Sequence, residues 1–278
     1  MSLITDVAFV IPTHPPHFHY LYNLLNKLEK HHITIDIFLV FSNDNDYNTF
    51  ELKEKIKPII IREPLNYMSM ITSKKFYGLK QLINTHYDYF IVCDSEIDII
   101  PENFTKDNIK YKLDNIFKNK KIYAGDLNGR GIRYVNTYCA SLYYGEDFNK
   151  LKEATKDFTL YSWWSDIPVY RRSDLKYFFE KVNCNNIHDR AFFDHIIYQY
   201  FLILTDNFKV IDTTPISNTN WSLESLYTSN EEILNKLSDE LQYGFGWITK
   251  ILYQLNKSYF ISKNTFLIYH LDRDSCST

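Results

Sequence analysis

The sequence has little cysteine, glycine or proline, and it has no long apolar run. Its 278 residues include four Cys, seven Gly and eight Pro. The cysteines are scattered and form no C-x-x-C pair, which gives no sign of a zinc knuckle or of a disulfide framework. No stretch approaches 18 apolar residues, so we predict no transmembrane segment. We therefore expect a reduced, cytoplasmic protein.

The sequence also lacks a strong excess of either charge. Its 31 basic and 34 acidic residues give a net charge of -3, so we expect no general binding to nucleic acid or anionic membranes. The first 16 residues hold a five-residue apolar run without a basic segment, which indicates a strand and not a signal peptide. Aromatic residues are abundant, with 23 Tyr and 20 Phe. They are enough to fill a sizeable core.

Strand and helix patterns alternate in the first half of the chain. We predict strands in "DVAFVIPT", "ITIDIFLVFS", "KPIIIRE" and "DYFIVCD", and helices in "PHFHYLYNLLNKLEKHH", "FELKEKI" and "NYMSMITSKKFYGLKQLINTHY". The polar "NDNDYN" is predicted to be a loop. This order predicts an α/β fold with a mainly parallel sheet flanked by helices. The first helix should bury Phe18, Leu21, Leu24, Leu25 and Leu28.

The second half is less regular. We predict helices in "PENFTKDNIKYKLDNIFKNKK", with many of its lysines facing outward, in "SDLKYFFEKV", with Ser173 as N-cap, in "HDRAFFDHIIYQYFLIL" and across residues 221–258. Strands are predicted in "IYAGDLNGRGIRYVNTYCASLYYGEDF", "YSWWSDIPVYRR", "FKVIDT" and "FLIYHLDRD". We assign residues 1–215 to the main domain, and residues 216–278 to C-terminal helices and a final strand that pack on it.

Three carboxylates, Asp94, Glu96 and Asp98, follow the strand "YFIVC". Ligands of an open parallel sheet bind at the carboxyl ends of its strands. Strand alternation would turn Asp94 and Glu96 to one side and Ser95 to the other. Neighbouring carboxylates repel unless a cation lies between them, and Mg²⁺ or Mn²⁺ with substrate phosphates suits such oxygen ligands. The alternative is a solvated loop that caps the next helix.

Four segments together resemble the GT-A glycosyltransferases of the family-2 type. The segments are "VAFVIPTHPP", "IDIFLVFSNDND", "SKKFYGLKQLINTHYDYFIVCDSE" and "FFDHIIYQYFLILTDNFKVIDT", and they span roughly residues 5–215. The resemblance implies a Rossmann-like fold, a nucleotide-sugar donor such as a UDP-sugar, and a glycan or other hydroxyl acceptor. Phe193 and Glu96 depart from the family, which usually has Glu-Asp and DxD there. The usual acceptor-loop signatures are also absent.

The resemblance implies roles for particular residues. A divalent ion, Mn²⁺ or Mg²⁺, would be held by Asp94, Glu96 and the late His270. Asp194 would be the base of an inverting transfer, with Asp189 and Asp166 as alternatives; a retaining enzyme would need no such base. The residues expected to contact the donor are Pro12, Thr13, His14, Asp44, Lys74, Lys75, Asp94 and Ser95.

Some of these residues also have simpler interpretations. Lys74 and Lys75 could reach a diphosphate or could lie on a solvated helix face. The adjacent Trp163 and Trp164 could stack on an acceptor sugar or could belong to the core. The histidines of "THPPHFH" could suggest a metal hydrolase. His17 and His19 are nevertheless expected to point apart at a helix entry, so we assign this segment to the nucleotide loop.

Two other functions remain open at this point. A sugar nucleotidyltransferase shares this kind of sheet, but "PTHPPH" lacks the Gly-rich loop with Arg and Lys that such enzymes usually show after the first strand. A catalytically degenerate GT-A domain could serve as a carbohydrate-binding or scaffold protein. The pair Asp94 and Glu96 favours the enzyme.

Overall fold

The largest element of the fold is a mixed, mostly parallel sheet. The computed structural model describes residues 2–64, 70–124, 138–154, 169–188, 192–212, 247–248, 250–269 and 271–273. Five strands in these ranges form the sheet: β1 (Ser2–Pro12), β2 (Ile33–Phe41), β3 (Lys57–Ile60), β4 (Tyr89–Val92) and β7 (Val169–Arg171). Their order is β3-β2-β1-β4-β7, and only β7 is antiparallel to its neighbour. The predicted α/β class is confirmed.

Helices and two small sheets complete the described part of the chain. The helices are α1 (Phe18–Lys30), α2 (Asp44–Thr49), α3 (Met70–Gln81), α4 (Lys106–Asn119), α5 (Gly145–Ala154), α6 (Arg172–Lys181), α7 (Asp194–Asp206), α8 (Lys250–Leu255) and α9 (Lys257–Ser262). The small sheets are β5 (Asp98–Ile99) with β10 (Leu267–Ile268) and β9 (Trp247–Ile248), and β6 (Lys121–Ala124) with β8 (Lys209–Asp212). Within the described ranges, none of the helices has both the length and the apolar character needed to cross a membrane.

The core lies where the apolar patterns predict it. β1 is buried on both faces from Val7 to Ile11, as expected of a parallel strand covered by helices on each side. The α1 residues predicted to be buried, Phe18, Leu21, Leu24, Leu25 and Leu28, are all buried. The period of 3.6 residues in α1 is therefore confirmed.

Short polar segments were predicted less well. The segment "NDNDYN" contains the helix α2, because the Asn43 side chain accepts a hydrogen bond from the Asp46 N–H and caps it. The predicted helix "FELKEKI" contains only the 3-10 turn Lys53–Lys55. Ser173 lies inside α6, whose N-cap is Arg171.

Two predictions for the second half were also wrong. Residues predicted as strand around Gly145 begin the helix α5. Lys112 of α4 is completely buried, so not every lysine of this helix faces outward. Residues 221–258 include β9 as well as the helix α8 and the start of α9. Residues 213–246 are outside the described ranges, so the domain division at residue 215 stays a prediction.

The last described residues pack against the segment that follows the carboxylates. β10 pairs antiparallel with β5, so that Ile268 lies opposite Asp98. The Asn103 side-chain amide donates to the backbone carbonyls of Phe260, Ile261 and Thr265 at 3.3, 3.0 and 2.8 Å. Residues 260–268 are thereby attached directly to β5 and to the turn between β5 and α4.

Gly78 allows α3 to lie close to the sheet. A Cβ atom at this position would lie 2.7 Å from Val40 Cγ2 and 3.0 Å from Val10 Cγ1. Both contacts are with branched side chains on the strands β1 and β2, which have little room to move. The absence of a side chain at residue 78 therefore sets the helix–sheet distance.

Gly78→Ala is expected to lower the free energy of unfolding by about 1–3 kcal/mol, because it overpacks this contact. Glycine-to-alanine changes in open helix positions ordinarily stabilise a protein by about 1 kcal/mol. A loss of stability at residue 78 would therefore indicate close packing against the sheet. Urea denaturation would measure the change, with Gln81→Ala on the exposed end of α3 as control. A more stable Gly78→Ala protein would contradict the close packing.

Candidate functional site at the switch point of the sheet

The candidate site lies between the carboxyl ends of β1 and β4. The strand order places β2 and β3 on one side of β1 and β4 on the other. Val10 pairs with Val92, so the loops after these two strands start side by side. Such a switch point leaves a crevice outside the carboxyl ends of the strands, where ligands bind in open α/β sheets.

Thr13 and Lys74 meet at the carboxyl end of β1. The Thr13 N–H donates to the Val40 carbonyl at 3.0 Å, and its own carbonyl accepts from Lys74 Nζ at 2.9 Å. Pro12 ends β1 directly before this point. Thr13 Oγ1 is buried and has no hydrogen-bond partner among the described residues. The crevice therefore begins with a buried hydroxyl beside a buried ammonium group.

Lys74 is a buried cation with spare donor capacity. The residue is 4% exposed, and burial lowers its pKa, although the nearby Asp46 carboxylate opposes the change. An ammonium group has three N–H donors. Among the described residues, only the Thr13 carbonyl accepts a hydrogen bond from it. The interpretation of Lys74 and Lys75 as a solvated helix face is wrong, because both are buried.

Lys75 connects two carboxylates from different elements. Its Nζ lies 3.0 Å from Asp94 Oδ1 and 2.9 Å from Asp194 Oδ1. Burial alone would lower the Lys75 pKa, but the charges of Asp194 and Asp94 outweigh it, and the pKa is raised. The repulsion around Asp94 is thus partly compensated by an ammonium group of the chain itself.

Asp194 lies at the first position of α7, deep in the structure. Its side chain is 3% exposed. The Tyr170 hydroxyl donates to its backbone carbonyl at 2.9 Å and lies 3.3 Å from Oδ2. These contacts place Asp194 in an ion pair beside the site. Its assignment as a catalytic base stays a prediction.

Ser95 and Glu96 meet His17 from the loop after β1. Ser95 Oγ lies 2.9 Å from His17 Nδ1 and donates to Glu96 Oε2 at 3.3 Å. His17 Nδ1 is 3.4 Å from Glu96 Oε1. The expectation that Ser95 points away from Glu96 is wrong, because β4 ends at Val92 and strand alternation does not extend to these residues.

Burial and neighbouring negative charges disfavour the ionised form of Glu96. Burial, followed by the charges of Asp94 and Asp272, raises the Glu96 pKa to about 7. Burial also lowers the pKa of His17, against the opposing effect of Asp272. A cation placed here would favour the ionised form of Glu96.

The C-terminal segment supports the carboxylate loop through its backbone. The Asp94 N–H donates to the Tyr269 hydroxyl at 2.8 Å, and the Leu271 N–H donates to the Glu96 carbonyl at 3.2 Å. Asp272, in the 3-10 turn Leu271–Arg273, adds its charge to the environment of Glu96. This segment is therefore part of the site.

The described ranges contain no group of three or more His, Cys, Asp or Glu side chains placed to hold a metal ion. His270, the third ligand implied by the resemblance, lies outside these ranges. The assignment of a metal to Asp94 and Glu96 stays a prediction. Asp98 forms an ion pair with Lys27 of α1 and is directed to that partner.

The other predicted residues are distributed as follows. His14 lies in the same loop as His17, with their ring centroids 4.0 Å apart. Asp44 is exposed and its Oδ1 lies 3.3 Å from Arg62 Nη2. Asp46 is the acid whose charge opposes the lowering of the Lys74 pKa. The predicted residues that lie outside the described ranges, besides His270, are Trp163, Trp164, Asp166 and Asp189.

Three contributors were missed as site residues from the sequence. The spacing of His17 and His19 at a helix entry disfavours them as metal ligands and does not predict the contact of His17 with Ser95 and Glu96. Tyr269 and Asp272 reach the site only because β10 pairs with β5. The polar end of "YHLDRD" was the one signal that pointed to this segment.

The chain path is similar to that of solved structures of S. aureus TarS 1–349. For one crystal structure the TM-score is 0.38 at 15% identity, and for the complex with UDP it is 0.39 at 14% identity. Each comparison covers 86% of this chain and 66% of the other, so this chain spans about two thirds of those neighbours' length. No protein-family profile and no curated protein matches the sequence.

Proposed function

We propose that the protein is a GT-A-type glycosyltransferase that moves a sugar from a nucleotide-diphosphate donor, in the first instance a UDP-sugar, to a glycan or other hydroxyl acceptor. One observation carries the proposal. The buried Lys74 ammonium, with donors to spare, lies at the carboxyl end of β1, and the loop of Asp94 and Glu96 follows the neighbouring strand β4. This pairing of a cation with carboxylates suits a diphosphate that arrives with a divalent ion.

The diphosphate would take the place that the spare donors of Lys74 leave open. A lysine ammonium binds phosphate as a compact point charge. The buried Thr13 Oγ1 offers a second polar contact at the same side of the crevice. Asp46 and the exposed Asp44, after β2, are proposed to face the ribose or base.

A divalent ion fits the carboxylate loop. Asp94 and Glu96 supply hard oxygen ligands, and such ions are commonly held by one or two carboxylates together with substrate phosphates. The raised pKa of Glu96 means that a bound cation would convert this group fully to its ionised form. When bound, the ion would act as a Lewis acid on the departing diphosphate.

The assignments of acceptor-binding and base residues are based on the sequence alone. Trp163 and Trp164 remain the proposed acceptor platform, and Asp189 and Asp166 remain candidates for the base. His270 remains the proposed third metal ligand. A protein that bound glycans without any nucleotide would fit the scaffold alternative.

Lys74→Met is expected to weaken UDP binding at least 10-fold, because a charged hydrogen bond contributes about 1.5–3 kcal/mol. Calorimetric titration of UDP in the presence of Mn²⁺ would measure the affinity. Lys80→Met, an exposed lysine on the same helix, is the matched control and should bind as the unaltered protein does.

The same titration tests the metal and the enzyme class. Binding that is lost in EDTA and in Asp94→Ala would support the divalent-ion site. UDP binding that is unaffected by Lys74→Met would contradict the assignment of the diphosphate to Lys74. If UDP, GDP and dTDP all fail to bind the unaltered protein, the glycosyltransferase proposal falls and the scaffold alternative takes its place.

A further inference from the structure

We propose that Asp194 is a positioning residue of the donor site: it acts through Lys75, which it shares with Asp94, and does not touch the acceptor. This inference rests on the proposed function, because it concerns how the donor site holds its charge. It assigns to Asp194 a role different from the base that the resemblance implies.

The first argument is the geometry of three elements. Lys75 belongs to α3, Asp94 follows β4, and Asp194 begins α7. The Lys75 ammonium group lies at almost the same distance from both carboxylates, 3.0 and 2.9 Å. The position of Lys75 therefore depends on Asp194 as much as on Asp94.

The second argument is the difference in exposure between the two carboxylates. The Asp94 side chain is 27% exposed and can meet a ligand, whereas that of Asp194 is 3% exposed. A general base must come within hydrogen-bond reach, about 2.6–3.2 Å between heavy atoms, of the group whose proton it removes. Asp194 Oδ1 instead contacts Lys75, and Oδ2 faces the Tyr170 hydroxyl.

The backbone before Asp194 is held at several points. The Thr72 hydroxyl of α3 donates to the Phe192 carbonyl, and the Phe193 N–H donates to Cys139 Sγ at 3.4 Å. The Tyr170 hydroxyl binds the Asp194 carbonyl itself. The start of α7 is thus tied to α3 and β7, which is the expected setting for a residue that supports a neighbour.

The charge balance gives Asp194 its effect on the donor site. Lys75 carries one positive charge and the two carboxylates carry two negative charges, so the three groups together are negative. Asp94 therefore keeps part of its negative charge. Without the Asp194 charge, Lys75 would pair with Asp94 alone and neutralise it. Asp94 would then attract a divalent ion and its diphosphate less strongly.

Asp194→Asn is therefore expected to weaken UDP binding in Mn²⁺ about 10-fold. In a Lys75→Met background, the same change should leave UDP affinity as it is in Lys75→Met alone, because Asp194 acts through Lys75. Asp206→Asn, at the other end of α7, removes an ion-paired carboxylate about 18 Å away along the helix. This control should lower the melting temperature and leave UDP affinity unchanged.

The outcomes separate the two roles of Asp194. If Asp194→Asn binds UDP as the unaltered protein does but loses turnover of a UDP-sugar, Asp194 is the base and the positioning role is wrong. Additive losses in the double variant would also overturn it. Should the Asn variant fail to fold, Asp194→Ser is measured against the same outcomes. Failure of the unaltered protein to bind UDP would instead overturn the proposed function.

Discussion

Lys75→Met is expected to lower the free energy of unfolding by about 3–5 kcal/mol, the cost of removing one partner from a buried ion pair. The change leaves the carboxylates of Asp94 and Asp194 without the ammonium that now lies 3.0 and 2.9 Å from them. Asp194 is too deeply buried for water to replace that partner. Urea denaturation would measure the loss.

The loss at Lys75 should persist across neutral pH. Because the folded-state pKa of Lys75 is raised, its stabilisation is fully present below the usual value of 10.5 and is lost only as pH rises through the raised value. The deficit should therefore be present at both pH 6.5 and pH 8.5. Lys80→Met serves as the control for loss of a lysine from α3. A Lys75→Met protein as stable as this control would contradict the buried ion pairs.

Lys112→Met is expected to have the opposite effect and to stabilise the protein. Lys112 is completely buried, with its Nζ 6.0 Å from the centre of the Phe266 ring. Burial lowers its pKa from the usual 10.5 to about 7. At 1.36 kcal/mol for each pKa unit, the gain has an upper limit of about 5 kcal/mol. Methionine keeps much of the side-chain volume and carries no charge.

The stabilisation by Lys112→Met should depend on pH with a definite sign. Between pH 7 and 10.5 the unfolded chain holds a proton on Lys112 that the folded protein has released, so the stability of the unaltered protein rises with pH. The advantage of the variant should be greatest at pH 7 and below, and should disappear near pH 10.5. Urea denaturation at pH 7 and pH 9.5, with Lys118→Met on the exposed face of α4 as control, would measure it. An advantage that is equal at both pH values would be inconsistent with a depressed pKa.

The sequence predicted those parts of the fold that depend on local periodicity. The continuous apolar run of β1 and the five buried positions of α1 are strong local signals, and both are confirmed. Short segments were predicted poorly because a single side chain can decide them. The segment predicted as a polar loop forms α2 because Asn43 caps its first turn. The N-cap of α6 is Arg171, the last residue of β7, and not the predicted Ser173.

The positions of some candidate residues follow from the order of elements. Thr13 and Asp94 follow strand ends, and Lys74 and Lys75 lie on α3, where their side chains contact Thr13 and Asp94. The functional roles of these residues stay predictions. What a single sequence could not give is which partner each charged group would meet. Lys75 and Asp194 are 119 residues apart, and no local pattern relates them. The burial of Lys112 is hidden for the same reason, since a lysine in an amphipathic pattern is normally solvated.

The hydrogen bond between the Asp94 N–H and the Tyr269 hydroxyl joins residues 175 positions apart. During synthesis, β1 to β4 can pair long before Tyr269 has been made, but the loop of Asp94 and Glu96 then lacks the partners that hold its backbone. Contacts between such distant residues form slowly, because the intervening chain must first be ordered. The strands would therefore be in place early, and the ligand-binding edge would mature as one of the last events of folding.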